Sequence, residues 1–357
     1  MNLIDHHRII QITGRSGPKP LPEGTWFRSG REALIALLRS WKRPVPEGRI
    51  ILLPAFCPEG LYAPFRSEGW DIVFYDLTVE GNPDFSHLQR LASQTQPQVA
   101  VLIHLFGVRR DIATFRKVLG DNVFIIEDFA QTWPGEHLAH NPQGGDARLF
   151  SLPKLAGLPD GGGLELAAGG RPKVEKPGSA WVYTGLRLGA LIAATLARKT
   201  GVKFFRWLSI ALNGRAYRIL RSGSWSVRRM SGVSLFLLRR LDQKRLIDRH
   251  LKQAEIYRSG LDHPGIMAID GGIDWPMIGF PVLVDNRSHF LESLAVKGVV
   301  PLVFSAAWSF IPEGEGHLFP GATALSGRHV LLPICVKLTD DDIWEVVRAV
   351  NDYPGIS

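Results

Sequence analysis

The sequence is poor in cysteine: Cys57 and Cys335 are the only two in 357 residues. They stand far apart and fit no metal-ligand spacing. This excludes a disulfide framework and a cysteine-built metal centre, and it suits a reducing compartment. A secretory leader is not legible either, because MNLIDHHRII carries an acidic residue and has no apolar core; a cytoplasmic location is expected. A membrane-spanning helix needs about 20 predominantly apolar residues. The most apolar stretch, LGALIAATLARKTGVKFFRWLSIAL (188–212), is broken by Arg198, Lys199, Lys203 and Arg206. No internal repeat and no low-complexity tract is present, which argues against a solenoid or a long disordered tail. The sharpest absence is local. Between Lys176 and Leu241 there is no Asp or Glu, while cations recur from Arg187 to Arg240 in a chain of formal net charge +8. Such a block has a local meaning.

What remains is an ordinary globular composition, long enough for one large domain and a smaller one. The runs RIILLP (49–54), DIVFYD (71–76), VAVLIH (99–104), VFIIED (123–128), ARLFSL (147–152) and GLELAA (163–168) are short, apolar and bounded by turn residues, as buried strands are. Helical patterns lie between them: SGREALIALLRSW, PDFSHLQRLASQ and RDIATFRKVLG. This alternation predicts an α/β fold with a mainly parallel sheet covered by helices. In such sheets ligands sit beyond the carboxyl ends of the strands. The candidate residues are therefore those that end each run.

Those ends hold a carboxylate pair, Glu127 and Asp128, with Gln131 just beyond; Ser151 and Lys154; Phe56 and Cys57; and His104. The helix start adds Ser29 and Gly30. Singly, each has an ordinary explanation. Asp128 could cap its turn, Ser151 could satisfy a backbone group, Phe56 could be core, His104 could be a structural hydrogen-bonding histidine, and Lys154 could be a surface lysine. Together they match the needs of pyridoxal 5'-phosphate (PLP). That cofactor requires a lysine amine to form a Schiff base, a carboxylate against its pyridine nitrogen, and helix N–H groups with a hydroxyl for its phosphate. A flat ring packed on its face helps fix its plane. Lys154, Asp128, Ser151, the Ser29–Gly30 helix start and Phe56 supply these parts. The triple glycine at 161–163 follows the lysine instead of preceding it as in a P-loop. It reads as turn geometry.

With SGREAL (29–34), LPAFC (53–57), DFSHL (84–88), IHLFGVRRD (103–111), IIEDFAQTWPG (125–135) and GDARLFSLPK followed by GGG (145–163), the chain resembles the DegT/DnrJ/StrS family of PLP-dependent sugar aminotransferases. RRMSGVSLFLLRRLD (228–242) and GRHVLLPICVKLTDDDI (327–343) continue the likeness. The resemblance implies a fold-type-I architecture with Lys154 holding PLP, Asp128 on the pyridine nitrogen and Gln131 against the ring. Ser29, Gly30, Arg31 and Ser151 would bind the phosphate, and Phe56 would stack. Catalysis would rest on Lys154 and Asp128. The implied reaction moves an amino group from glutamate or glutamine to a keto sugar, nucleotide-linked, in polysaccharide or glycan biosynthesis. The implied assembly is a homodimer in which Arg228 and Arg229 approach the neighbouring site. A PLP enzyme acting on a non-sugar ketone or aldehyde, and a non-catalytic paralogue with a binding role, remain the alternatives.

The sequence departs from that pattern in two places. Arg31 stands where a small hydroxyl residue is usual, and Val227 stands near the position of an asparagine; Arg31 or Arg228 could substitute, since a guanidinium suits a phosphate. The organisation expected is a PLP-binding large domain (1–175), a basic helical insertion with the dimer-contact segment (176–241) and a small C-terminal domain (242–357). Three readings of the basic segment stand side by side: a helical hairpin packed on the protein, an element lying on an anionic membrane surface with Phe204, Phe205 and Trp207 at the headgroups, or a basic lid over a phosphorylated substrate. No nucleic-acid-binding module is recognisable. After Asp242, QKRLIDRHLKQAEIYRSGL reads as an amphipathic helix. MIGFPVLV, VVPLVF and HVLLPICV read as strands, with Trp308 and His317 in a loop-rich stretch between them.

Overall fold

Twelve strands and twelve helices carry the described part of the chain. The computed structural model describes residues 4–5, 24–40, 48–134, 144–167, 181–221, 227–269, 271, 275–304 and 311–355. The strands are β1 (Ile4–Asp5), β2 (Thr25–Phe27), β3 (Ile50–Pro54), β4 (Asp71–Tyr75), β5 (Val99–Ile103), β6 (Phe124–Asp128), β7 (Ala147–Ser151), β8 (Gly162–Leu166), β9 (Ile266–Ala268), β10 (Phe280–Val284), β11 (Val299–Val300) and β12 (His329–Leu332). Helices α1 (Gly30–Arg39), α2 (Glu59–Ser67), α3 (Phe85–Thr95), α4 (Ile112–Leu119) and α5 (Pro153–Ala156) are interleaved with the first strands. Next come α6 (Trp181–Thr200), α7 (Lys203–Arg221), α8 (Gly232–Arg240) and α9 (Gln243–Gly260), then α10 (Arg287–Val296), α11 (Pro320–Arg328) and α12 (Asp340–Asn351).

Seven strands form the main sheet in the order β2-β8-β7-β6-β5-β3-β4. From β4 to β7 all neighbours are parallel; β8 runs antiparallel to β7, and β2 antiparallel to β8. All six expected strand runs are present, and the sheet is mixed with mostly parallel strands. Its centre is dry: β5 is buried at every position. That is why β5 reads as a continuous apolar run and not as an alternating one. The helices start where the sequence supplies a cap. Ser29, Asp84 and Asp111 each accept a backbone N–H from the first turn of α1, α3 and α4, the usual role of a short polar side chain at that position.

A second sheet, β12-β10-β9, is antiparallel throughout. It is tied to the main sheet at the carboxyl edge of the parallel strands. Both carboxylate oxygens of Asp76, just past β4, accept N–H groups at the start of α11, from Gly321 at 3.1 Å and Ala322 at 2.9 Å. A negative side chain is well placed at a helix N-terminus. The contact is close enough that a Cβ on Gly321 would lie 1.7 Å from the Leu77 carbonyl oxygen. No helix among the described residues is long and apolar enough to cross a membrane.

Candidate functional site

The candidate residues gather where β6, β7 and β8 meet the start of α1. Asp128 is the last residue of β6 and is buried. Its Oδ1 accepts the Ala130 N–H at 2.8 Å. Burial pushes its carboxyl above the usual value, and the positive charge of Lys154 acts in the opposite sense. Lys154 lies in α5, a single turn that follows β7 directly and ends at Gly157 in the left-handed region. It lines a narrow cleft with His250, Ile278, Cys335 and Lys337. The aspartate thus ends one strand and the lysine follows its parallel neighbour, and the charge of Lys154 acts on Asp128.

Ser29, Gly30 and Ser151 come together through the triple glycine. Ser151 is in register with Gly162 across the β7–β8 pair. A Cβ on Gly162 would lie 2.1 Å from the Ser29 carbonyl carbon and 2.2 Å from the Gly30 nitrogen. No side chain fits there, so the backbone of β8 presses against the first turn of α1. Gly161 alone has the positive φ, +133°, that a turn requires. The glycines therefore divide their work: Gly161 turns the chain, and Gly162 admits the α1 helix start. Gly163 admits the Trp26 ring, whose Cζ3 would lie 2.6 Å from a Cβ.

Other candidates are held by the protein itself. Gln131 is buried, and its Oε1 accepts the Phe106 N–H at 2.6 Å. This contact pins a turn after β5 in which Phe106 adopts φ +67°. Phe56 is fully buried and meets the His329 ring edge-on at 5.4 Å. The Arg31 guanidinium reaches α7, where its Nη1 donates to the Leu220 carbonyl at 3.4 Å, and it lies against Gly60 at the start of α2. The segment 227–230 runs beside β2: the Arg28 N–H donates to the Arg228 carbonyl at 2.9 Å, and Phe27 bridges Arg229. Arg229 is exposed and Val227 is buried in the core. His317 is exposed, and Trp308 lies outside the described residues.

His104 and Glu127 form a separate buried pair. His104 Nε2 and Glu127 Oε2 are 3.1 Å apart, and His104 Nδ1 accepts the Arg110 N–H at 3.1 Å. That arrangement leaves Nε2 as the donor to Glu127. Burial works against the Glu127 charge, but the His104 ring, the Gly145 N–H and Arg148 hold its carboxyl below the usual value. Burial lowers His104. Its ring also stacks on Phe129 at 4.3 Å. His104 is thus enclosed as part of the scaffold behind Asp128.

A further buried cluster was not legible in the sequence. Arg28, just past β2, donates to Glu32 in the first turn of α1 from Nε at 3.1 Å and from Nη2 at 2.5 Å. Burial pushes Glu32 up to about 7, against the pull of Arg28 and Arg228. Asp160, fully buried beside Gly161, accepts the Thr184 hydroxyl at 2.6 Å and the Ser231 N–H at 3.1 Å. The members come from the β2–α1 connection, α1, the loop before β8, α6 and the start of α8, so no local pattern could have announced them. His250 and Lys337 were missed for the same reason, since the second sheet and α9 bring them to Lys154.

No protein-family model and no curated relative matches the sequence. Solved structures do match in fold. The sugar aminotransferase CalS13 from Micromonospora echinospora superimposes with a TM-score of 0.60 at 18% identity, over 92% of this chain and 86% of that one. NtdA from Bacillus subtilis, with its cofactor PMP bound, gives 0.62 at 15% identity over 91% and 72%. A DegT/DnrJ/EryC1/StrS aminotransferase from Brucella abortus gives 0.60 at 15% identity over 94% and 87%. The chain has the fold-type-I transferase fold. In that fold the edge carrying Asp128 and Lys154 is the carboxyl edge of the parallel strands, where the sequence placed the ligand.

Proposed function

We propose that this protein is a PLP-dependent aminotransferase acting on a keto sugar. The observation that carries the reading is the placement of Asp128 at the end of β6 and of Lys154 just past β7, its parallel neighbour, on the carboxyl edge of a fold-type-I sheet. A buried carboxylate whose proton affinity is raised by burial favours a cationic partner. Lys154 is one such partner, and a protonated pyridine ring would be another. The Ser29–Gly30 helix start and the Ser151 side of the β7–β8 pair offer N–H and hydroxyl donors suited to a phosphate. The donor set therefore fits PLP.

Bound there, PLP would supply a carbonyl that an amine can capture and a ring that accepts electrons from a carbanion. The chain's own residues do the rest. Lys154 Nζ would hold the cofactor covalently and then carry a proton to and from the substrate carbon. Asp128 would hold the ring nitrogen in its charged form. Gln131, already bonded to the Phe106 N–H, would keep the β5 turn in place beside the ring. Arg31, directed to Leu220, would join the phosphate-side helix to α7. The sugar as acceptor is supported by neighbours such as CalS13, a sugar aminotransferase, and Helicobacter pylori PseC, an aminotransferase involved in pseudoaminic acid biosynthesis. On this reading the acceptor is nucleotide-linked, the donor is glutamate or glutamine, and the product enters glycan biosynthesis. The active species is a homodimer with Arg228 and Arg229 near the neighbouring site. The chain divides into a large domain (1–175), the insertion (176–241) and a small domain (242–357).

Purified protein supplied with PLP, L-glutamate and a nucleotide-linked keto sugar tests the reading. Expected are an amino sugar and 2-oxoglutarate in equal amounts. Lys154→Ala should lose at least the ~10²–10⁴-fold that a positioned acid–base group contributes. Transfer only to non-sugar carbonyls would overturn the sugar assignment, and no binding of PLP would overturn the whole reading.

A further inference from the structure

The helices α6 and α7 form an antiparallel hairpin whose inner face is built from small residues. Ala190, Ala193, Ser209 and Ala216 are buried between them, and the Ser209 hydroxyl donates to the Ala190 carbonyl at 3.0 Å. Small side chains let two helices approach closely, so the longer apolar residues are left on the outside. On α7 those are Phe204, Trp207 and Ile210, which are 57%, 63% and 64% exposed. They recur every three residues, and Ile192 on α6 is exposed as well. Large apolar side chains on one face of a helix mark an interaction surface.

The charge on that surface selects its partner. Lys203, Arg206 and Arg218 are exposed on the same helix. No Asp or Glu occurs anywhere from Lys176 to Leu241. A second copy of the chain is a poor occupant of this face: a two-fold axis through it would set the face against itself, cation against cation, with no carboxylate to relieve it. A nucleic acid would meet the cations but leave Trp207 and Ile210 without apolar cover. An anionic lipid surface satisfies both features, with aromatic and aliphatic groups at headgroup depth and cations against lipid phosphates. Neither helix is apolar enough to cross, so the hairpin would lie in the plane of the surface.

The hairpin is also rooted at the candidate site. Thr184 bonds Asp160, Arg187 Nε donates to the Pro159 carbonyl at 3.4 Å, and Arg31 holds the Leu220 carbonyl. Docking would therefore orient the Gly161–Gly163 strand and the α1 helix start relative to the lipid. We infer that the α6–α7 hairpin is an in-plane docking element for anionic membrane, with the outer face of α7 in contact with the lipid. The inference is independent of the catalytic reading.

Co-sedimentation of the full chain with phosphatidylcholine vesicles, with and without phosphatidylglycerol, tests it. The protein should partition onto the anionic vesicles, and salt should weaken the binding. Each cation near the surface is worth about fivefold. Replacing Lys203, Arg206 and Arg218 together by Gln should thus weaken binding on the order of 100-fold, and Trp207→Ser should weaken it at every salt concentration. Circular dichroism of both variants establishes that they fold. Equal partitioning on neutral and anionic vesicles, or unchanged binding by either folded variant, overturns the inference. So does displacement of the protein from vesicles by a short DNA duplex at equal phosphate, or self-association that Trp207→Ser abolishes in the absence of lipid.

Discussion

At the scale of single residues, Asp128 and Lys154 were legible because each follows directly from a strand run. Once the run is recognised, the ligand edge is fixed. Gly162 was not legible, because its reason is the backbone of Ser29 and Gly30, which the sheet brings against it. The same holds for Arg31 and Gln131, whose partners Leu220 and Phe106 lie in other elements. Glu32 gives a pH prediction at this scale. Burial raises its folded value from 4.5 to about 7. The folded chain therefore keeps a proton that the unfolded chain has released across that window. Its contribution to stability is complete below 4.5 and is lost as the pH rises through 7. Urea midpoints measured from pH 4 to 8 should fall over the window in the wild type, and Glu32→Gln should flatten that fall. An unchanged slope in the variant would assign it to other groups.

At the scale of elements, five of the main-sheet strands and the helices α1, α3, α4 and α9 appear within one or two residues of their sequence patterns. The strand β8 does too, although its antiparallel direction carries no sequence mark. Several elements went unread, among them α10 (Arg287–Val296), α11 (Pro320–Arg328), α2 and β2. The helix α2 begins after Pro58 and contains Pro64, residues that ordinarily mark turns and breaks. The strand β2 is three residues long and is held by distant partners, β8 on one side and the segment 227–230 on the other. The hairpin was legible as helical and basic, but its root on Asp160 was not. That root is testable. Thr184→Val keeps the shape of the side chain and removes one donor from a fully buried carboxylate. The loss of a hydrogen bond to a charged group costs about 1.5–3 kcal/mol. Chemical denaturation should show a drop of that size, and α6 amides should exchange faster. Wild-type stability in this variant would mean that Arg187 and Arg31 hold the hairpin without it.

At the scale of the whole molecule, the two larger sheets meet where the candidate site lies. Asp76 ties β4 to α11, and the segment around Met277 is bound to the turn after β5 through the Ile278 N–H and the Phe106 carbonyl. Lys154 faces the second sheet's side through His250 and Lys337. A lysine in this cleft, charged against a buried aspartate one strand away, is the centre of the account. The most direct test is to incubate the purified protein with PLP, reduce it with borohydride and map the modified peptide by mass spectrometry. The account predicts one phosphopyridoxyl group on Lys154, absent in Lys154→Ala and retained in Asp128→Asn, whose turnover should be lost. A label on any other lysine, or no label at all, would contradict it.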